Sequence, residues 1–392
     1  MDENKNLIKN AGVIEDFLLN FKSSSTKRSY RSHLNTYFKT ISVEQPDDYF
    51  NDNRNYEMDV KQFAQTLQNR PPLTQKTILA CIRSFLAENE VDLKLKTWRR
   101  LNHRIQGRKP VTENVAPTTE QLKKILNHAD IKGKALFSLI ATSGMRITET
   151  VNLTFDDIDR KNRIIRISGT LTKNGDKCIT FFTEEAKKYL EDWLKIRDKF
   201  LEQSFYKSKY VRKMFAKKGI VFKKVGTKNN NNVWEITKDG KTISNKDLIK
   251  EENRIFPFSN INAERIWCNL LEKSGLNEKE TDSRLKHPRY KLHIHTLRKF
   301  FSTKLEDMKV PQSYIDQYTN HTERYNGSYT LHTIEQLKKV YDNYSSCLNI
   351  FAQETIVVNE TEIVKQQRKQ IEELQEQVEI LMGHYKELTG TP

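Results

Sequence analysis

The sequence predicts a multidomain protein with an all-α N-terminal domain, a mainly helical α+β second domain with a small β-sheet, and a C-terminal coiled-coil-like helix. The length of 392 residues exceeds that of one ordinary domain, so two or three hydrophobic cores are expected. Apolar residues recur at helical spacing before residue 108, and short β-rich runs occur in the second part of the chain. A heptad pattern near the end predicts the last helix.

Residues 1–108 are predicted to form a small, basic, helical domain. Ser23, Ser24 and Ser25 offer an N-cap for a helix whose apolar residues follow at spacings of 4, 3, 1 and 3. These residues are Tyr30, Leu34, Tyr37, Phe38 and Ile41. A second amphipathic helix is predicted after Pro71 and Pro72. Its apolar face consists of Ile78, Ile82, Phe85 and Leu86.

Residues 109–117 are predicted to be a linker, because the stretch around them is polar, contains two prolines and lacks periodicity. The second domain is predicted over 118–353. Thr118 or Thr119 can cap its first helix, and the run ALFSLIATSG predicts another helix that ends at Gly144. The β-rich runs RIIRIS and KCITFF lie on either side of Asn174-Gly175, a dipeptide that indicates a hairpin.

Residues 201–254 form a basic insertion with 14 Lys or Arg residues, which is expected to lie on the surface. One interpretation is a solvated loop. The other is added contact with phosphate groups, which the interleaved apolar side chains favour. Those side chains are Tyr206, Tyr210, Phe215, Val221 and Phe222.

Residues 354–392 are predicted to form an amphipathic helix with a coiled-coil seam. Its seam residues repeat at alternating spacings of 3 and 4. They are Val364, Gln367, Ile371, Leu374, Val378, Leu381, Tyr385 and Leu388. The flanking residues are polar, which favours self-association of the chain, whereas the alternative is one helix that folds back on its own domain.

The overall charge points to a polyanionic partner. The chain has 67 Lys and Arg against 51 Asp and Glu, a formal net charge of +16. Eight acids and four bases lie in 354–392, so the rest of the chain is near +20. The four dispersed cysteines indicate neither a zinc site nor a disulfide framework. The N-terminus lacks the apolar stretch of a signal peptide and no membrane span is expected, so the cytoplasm is the expected location.

Four dispersed segments carry the candidate chemistry. Arg146 lies in TSGMRITETVNL directly after the predicted helix end, and Lys173 precedes the predicted hairpin dipeptide. A third segment, His295-Thr-Leu-Arg298, lies in a predicted helix, where three-residue spacing puts its histidine and arginine on one face. The fourth is Tyr318-Thr-Asn-His321, which is followed by Tyr329. Each segment alone is weak evidence for a function, but the order of all four along the chain is a specific pattern.

Together these segments resemble the tyrosine recombinase, or phage-type integrase, family. They match its G-x-R-x-x-E, H-x-L-R and L-G-H motifs, its hairpin lysine and its downstream tyrosine, over about residues 118–350. Asn320 stands where the family usually has glycine, and the interval from His321 to Tyr329 is eight positions rather than nine. The segment from Tyr329 to Leu337 resembles integrases of archaea and their mobile elements.

The resemblance implies a site-specific DNA recombinase that cleaves and rejoins double-stranded DNA through a 3′-phosphotyrosyl intermediate. It implies that two arginines clamp the phosphate, a lysine protonates the departing 5′ oxygen, histidines position groups or move protons, and a tyrosine is the nucleophile. The candidate catalytic residues are Arg146, Lys173, His295, Arg298, His321 and Tyr329, with Tyr325 as the alternative nucleophile and His293 as a poorer match to the histidine.

No cofactor and no metal are implied by this resemblance, and a homo-oligomer that forms a tetrameric synapse on DNA is the expected assembly. Integration or excision of a mobile element is the favoured role. The alternatives are resolution of chromosome or plasmid dimers, a type IB-like topoisomerase, and a DNA-binding relative without catalysis.

Overall fold

The computed structural model describes residues 12–51, 54–107, 109–113, 115–228, 231–321 and 332–351. Tyr325, Tyr329 and the helix predicted over 354–392 lie outside the described residues. Contacts divide the chain into two compact units, one with residues 1–114 and 278–291 and the other with residues 115–277 and 292–392. We call them the N-terminal and the C-terminal unit. The predicted domain boundaries stay predictions.

The described part of the N-terminal unit is mainly helical. Its helices are α1 (Gly12–Leu19), α2 (Ser24–Thr40), α3 (Tyr56–Thr66), α4 (Pro72–Glu88) and α5 (Leu95–Arg104). The two helices that the sequence predicts here are confirmed. Ser23 caps α2 by accepting a hydrogen bond from the backbone N of Thr26, and Pro72 begins α4, where its missing N–H costs nothing.

Aromatic side chains dominate the core of the N-terminal unit. Tyr37, Phe38, Tyr49, Phe63 and Phe85 are all fully buried. The hydroxyl groups of Tyr37 and Tyr49 lie 2.7 Å apart, and that of Tyr49 donates to Asp59 Oδ2 at 3.0 Å. Both buried phenol groups therefore have hydrogen-bond partners, as buried polar groups in a stable core require.

The segment 278–291 belongs to the N-terminal unit although it is distant in sequence. It folds back on itself, since the backbone N of Glu280 donates to Arg289 O at 3.0 Å. The Glu280 carboxylate then accepts from the backbone N of Glu113 at 3.2 Å, and Lys291 Nζ lies 3.1 Å from the Glu113 carboxylate. These polar contacts attach the segment to the middle of the predicted linker.

The C-terminal unit combines helices with two small antiparallel sheets. Its helices are α6 (Thr119–Asn127), α7 (Ile131–Ser143), α8 (Ile147–Val151), α9 (Glu184–Lys207), α10 (Lys209–Ala216), α11 (Asn245–Glu251), α12 (Asn260–Ser274), α13 (His295–Asp307), α14 (Gln312–Thr319) and α15 (Ile334–Tyr344). Its strands are β1 (Ile158–Asp159), β2 (Ile164–Ile167), β3 (Cys178–Phe181), β4 (Ile220–Lys228), β5 (Asn231–Lys238) and β6 (Lys241–Thr242).

Helix α7 lies at the centre of this unit. Its residues from Ala135 to Ser143 are all buried, which fits its apolar sequence. Of the two candidate caps of α6, Thr118 is the N-cap, and its side chain and that of Gln121 form a capping box. Within the part of the chain that the structure describes, no helix has the length and apolar character needed to cross a membrane.

The first sheet has the order β1-β2-β3, and Ile165 lies opposite Thr180 in the β2–β3 pair. The predicted hairpin is therefore present, but a two-residue turn at Asn174-Gly175 does not connect its strands, because β2 already ends at Ile167 and β3 begins only at Cys178. Residues 168–177 form a longer connection. Gly175 has a φ of +84°, and a Cβ on Gly169 would lie 2.2 Å from Gly175 O, so this close approach needs glycine.

Residues 201–254 form a folded subdomain, which we call the inserted subdomain. The end of α9 packs with α10, the sheet β4-β5-β6 and α11 around a separate hydrophobic core. That core consists of Leu201, Phe205, Val211, Phe215, Ile220, Ile236 and Leu248. Phe215, one of the interleaved apolar residues, is 1% exposed in this core, so its position reflects packing and does not support contact with phosphate groups.

Candidate active site

The end of α7 determines where Arg146 lies. Gly144 terminates the helix in the left-handed region, with a φ of +69°. A Cβ at this position would lie 2.5 Å from Cδ1 of Phe301 in α13. Both the backbone conformation and the packing therefore require glycine. The resulting turn places Arg146 at the N-cap of α8 with an extended backbone.

Glu149 fixes the orientation of Arg146. The Arg146 backbone N donates to Glu149 Oε2 at 2.8 Å, and its Nη1 donates to Oε1 at 2.8 Å. Glu149 is 2% exposed, whereas the Arg146 side chain is 24% exposed. One edge of the guanidinium is thus held by a buried carboxylate while the rest can reach a ligand. Glu149 is not among the predicted site residues, although its three-residue spacing from Arg146 is the signal in the sequence for this pairing.

Arg298 joins three of the motif segments. It lies in the first turn of α13 and is 4% exposed. Its Nη1 donates to Gly144 O at 2.8 Å, and its Nη2 donates to Thr319 O. Gly144 belongs to the segment that contains Arg146, and Thr319 comes two residues before His321. One buried guanidinium therefore holds the segments of Arg146 and His321 together.

The two arginines repel each other electrostatically. Burial, and then the positive charge of Arg146, lower the pKa of Arg298 to about 10. Because this value remains well above neutral pH, Arg298 stays cationic. An anion bound between the two guanidinium groups would reduce their repulsion and accept hydrogen bonds from both. The arrangement is chemically suited to a phosphate group.

Asn320 directs the chain from α14 into His321. Its backbone is left-handed, with φ 47° and ψ 49°, which explains why glycine is usual at this position of the motif. Asparagine is among the few other residues that adopt this conformation readily. The backbone N of His321 then donates to Asp316 O at 2.9 Å, which closes the end of the helix.

The imidazole of His321 is oriented by α14. Its Nδ1 lies 3.2 Å from Thr319 Oγ1 and 3.8 Å from Asp316 Oδ1. Partial burial and the positive charge of Arg298 lower the pKa of His321, although Asp316 opposes this shift. The ring is therefore mainly neutral at pH 7 and able to accept a proton.

His295 is the first residue of α13 and is exposed. Its ring lies parallel to that of His293, with 6.2 Å between the ring centroids. The charge of His295 also contributes to lowering the pKa of His321, so the two histidines belong to one electrostatic cluster with the arginines. The structure thus brings together Arg146, Arg298, His295 and His321.

Lys173 lies on the connection between β2 and β3 and is exposed. The neighbouring Thr172 side chain donates to Gly169 O at 3.1 Å and to Asp176 O at 2.8 Å, which braces the connection. Asn320 Nδ2 also donates to Asp176 O at 3.4 Å. The connection is therefore attached beside His321, whereas Lys173 forms no ion pair with any described residue.

The segment 322–331 holds Tyr325 and Tyr329, and the described residues on both sides of it contact α14. His321 precedes the segment, and His332 follows it with its ring stacked on Tyr314 at 3.8 Å between centroids. Tyr318 in α14 is buried, and its hydroxyl donates to Leu337 O of α15 at 2.7 Å. These contacts hold the residues that precede and follow the segment, His321 and His332, against α14.

Comparison with known proteins gives consistent matches. The model of the phage integrase family matches residues 117–330. Tyrosine recombinase XerA of Saccharolobus solfataricus is 35% identical over 107 residues, which are 27% of this chain and 35% of that protein. Tyrosine recombinase XerC of Mannheimia succiniciproducens is 27% identical over 185 residues, which are 45% of this chain and 59% of that protein. The match thus spans about a third of the length of the XerA relative and about three fifths of the length of the XerC relative.

Among solved structures, the Tn1549 transposon integrase in complex with a circular intermediate DNA has a similar fold. The TM-score is 0.50 at 15% sequence identity, and the match covers 85% of this chain and 100% of that one. The mainly helical unit with small antiparallel sheets agrees with that fold. Because the family model matches more than half of the chain, the chain belongs to the phage integrase family of tyrosine recombinases, as its motifs predict.

Proposed function

We propose that this protein is a site-specific recombinase that cleaves and rejoins duplex DNA through a 3′-phosphotyrosyl bond. The observation that carries the proposal is the pair of hydrogen bonds from Arg298 to Gly144 O and Thr319 O. They unite segments that are far apart in sequence around two guanidinium groups. A structural role alone would not require a second arginine, Arg146, near enough to lower the pKa of Arg298.

The proposed reaction needs each of the six candidate residues. The hydroxyl oxygen of Tyr329 attacks the phosphorus atom, and the bond from phosphorus to the 5′ oxygen breaks. His321 accepts the phenol proton, and Lys173 gives a proton to the departing 5′ oxygen. Arg146 and Arg298 stabilise the negative charge that develops on the non-bridging oxygens, and His295 positions the phosphate. Attack by another 5′ hydroxyl group reverses these steps and rejoins DNA.

The test is a duplex with a nick next to the cleavage position, so that the 5′ product diffuses away and the covalent complex accumulates. Candidate sites come from the DNA that flanks the gene for this chain. A stable protein–DNA adduct whose peptide maps to 322–331 supports the proposal. Cleavage without any adduct would place the chain with hydrolytic nucleases instead.

The finer role that we propose is integration or excision of a mobile element. The resemblance of the segment after Tyr329 to integrases of archaeal mobile elements supports it. A plasmid assay with two sites distinguishes this role from its alternatives. Recombination between sites on separate molecules supports integration, strict preference for directly repeated sites on one molecule favours a dimer resolvase, and relaxation of supercoils without strand exchange favours a topoisomerase.

We also propose that the protein acts as a homo-oligomer on DNA, with a tetrameric synapse. The predicted heptad seam of 354–392 supports self-association. Removal of residues 360–392 should weaken synapsis of two DNA sites more than adduct formation on one half-site. An equal loss of both activities would instead assign this helix to the catalytic fold.

A further inference from the structure

The inserted subdomain contains a strongly basic stretch. Between Glu202 and Glu235 the sequence has nine Lys or Arg residues and no Asp or Glu. This stretch forms the end of α9, α10, β4 and the start of β5. Such a local excess of one charge is costly in a folded protein unless an anionic partner compensates it.

Helix α10 and its C-cap residue present three of these lysines on one exposed face. Lys209, Lys213 and Lys217 are spaced by four residues, and all three are exposed. The opposite face of the helix is buried through Val211 and Phe215. We call the three lysines the α10 lysine stripe. None of them forms an ion pair with a described residue, so their charges are available to a ligand.

Three other basic residues of the subdomain have structural roles and are excluded from the stripe. The guanidinium of Arg212 lies over the Trp234 ring at 4.5 Å and donates to Tyr206 O at 2.9 Å. Lys218 donates to Glu251 O, and Lys238 pairs with the Glu251 carboxylate. Some basic side chains of the subdomain are therefore neutralised or have a packing role, whereas those of the stripe have no ion-pair partner among the described residues.

The inserted subdomain is firmly attached to the segment that follows Arg146. The backbone N of Phe155 donates to Asn253 O at 3.1 Å, and that of Ile255 donates to Leu153 O at 2.8 Å. Arg197 is 3% exposed and donates to Arg254 O at 2.7 Å from Nη2. These bonds hold the base of the subdomain against residues 153–155, close in sequence to α8. The stripe is thus carried by a fixed part of the unit that contains the candidate site.

We infer that the α10 lysine stripe is an accessory contact for the phosphate backbone of duplex DNA, separate from the catalytic clamp. The spacing of the lysines spreads three charges over about 12 Å of helix, since each residue rises about 1.5 Å. Duplex DNA carries about one charge per 1.7 Å of its axis, so it offers several phosphates over that length. The inference rests on the proposed function only in that it takes DNA as the partner.

The test is the triple variant Lys209→Gln, Lys213→Gln, Lys217→Gln in the full chain. Glutamine is as good a helix former as lysine, and its introduction removes two like-charge pairs, so the helix is retained. Backbone phosphate contacts do not depend on sequence, so binding is measured on a duplex of mixed sequence over a salt series. We expect the slope of log affinity against log salt to fall by about 2 to 3, and the affinity at about 0.1 M salt to fall roughly 10- to 100-fold.

Two further variants make the result specific. A triple Lys→Arg variant at the same positions should bind as the wild type does, because the contact needs positive charge. The second is a control variant of α9 with Lys188→Gln, Lys195→Gln and Lys199→Gln. It removes the same charge from exposed positions and should change the slope of log affinity against log salt less. An unchanged slope in the stripe variant, or an equal loss in the α9 variant, overturns the inference.

The proposed function is judged by a different measurement. If the wild type forms no covalent adduct, the proposed chemistry fails, whereas the salt series still decides whether the stripe contacts DNA. If the stripe variant forms the adduct at the wild-type rate on saturating DNA, the stripe acts in binding alone, as we infer. A stripe variant that binds DNA normally but loses self-association would assign the stripe to a protein partner and overturn the inference.

Discussion

Arg298 Nη1 donates a hydrogen bond to the carbonyl oxygen of Gly144 at 2.8 Å. This bond means that Arg298 supports the fold of the site in addition to any phosphate that it binds. Arg146 differs, because its described partner is Glu149 in its own motif and part of its guanidinium is exposed. The two arginines of the proposed clamp should therefore respond differently to the same substitution.

We expect Arg146→Lys to reduce the rate of adduct formation by roughly 10²-fold or more while stability changes little, because an ammonium group cannot reproduce a planar pair of donors. Arg298→Lys should reduce the rate and also destabilise the fold by about 1–3 kcal/mol, because a buried carbonyl of Gly144 or Thr319 loses its donor. Single-turnover cleavage and urea unfolding measure the two effects. Equal stability of both variants would contradict the structural role of Arg298.

Glu149→Gln should slow cleavage and leave DNA affinity almost unchanged. The carboxylate accepts from both the backbone and the side chain of Arg146, whereas an amide has one acceptor oxygen and directs its NH₂ group at a donor. The guanidinium should then lose its fixed orientation, and we expect a rate loss of about tenfold or more. Glu264→Gln, at an exposed position of α12, is the matched control. A wild-type rate in Glu149→Gln would show that Arg146 is oriented without it.

The sequence predicts much of this site because its local signals are strong. A helix that ends at Gly144, the cap at Thr118 and the His295 helix follow from residue types that act over a few positions. The carbonyl partners of Arg298 and the attachment of 278–291 to Glu113 could not be predicted, since they join backbone or side-chain atoms far apart in sequence. The core of the inserted subdomain was missed because its abundant lysines obscure a sparse apolar pattern.

Asn320 gives a test of the left-handed turn before His321. Asn320→Ala should destabilise the protein by about 1–2 kcal/mol, because a Cβ without local hydrogen bonding is disfavoured at a φ of 47°. Asn320→Gly relieves this cost but removes the hydrogen bond from Nδ2 to Asp176 O. We therefore expect near-native stability with slower cleavage in the glycine variant. If urea unfolding shows that Asn320→Gly is no more stable than Asn320→Ala, this explanation of the turn is wrong.

His321 predicts a dependence on pH. Its pKa lies below 6.5 in the folded protein because of burial and Arg298, so the unfolded chain binds this proton more readily. Its contribution to stability is therefore fully present above pH 6.5 and is lost as pH falls through the folded pKa. The neutral ring is the proton acceptor in the proposed reaction, so kcat/KM should fall on the acid side with a midpoint below 6.5.

Ring proton NMR of the free protein measures the His321 titration, and the His321→Asn variant identifies its signal among those of the nine histidines. The variant should also lack the acid-side change in rate that the wild type shows. A folded-state pKa at or above 6.5 would be inconsistent with the electrostatic cluster around Arg298.

Tyr329→Phe should preserve folding and DNA binding but abolish the covalent adduct, since it removes only the hydroxyl group that attacks phosphorus. Tyr325→Phe should still form the adduct. We favour Tyr329 because the residues after it, including Glu335 and Tyr341, follow the arrangement of the resembling integrases, whereas counting from Tyr325 disrupts it. The measurement is adduct formation on the nicked duplex, with affinity for the same DNA as the control. Loss of the adduct in Tyr325→Phe together with its retention in Tyr329→Phe would make Tyr325 the nucleophile and shift the alignment of the final motif.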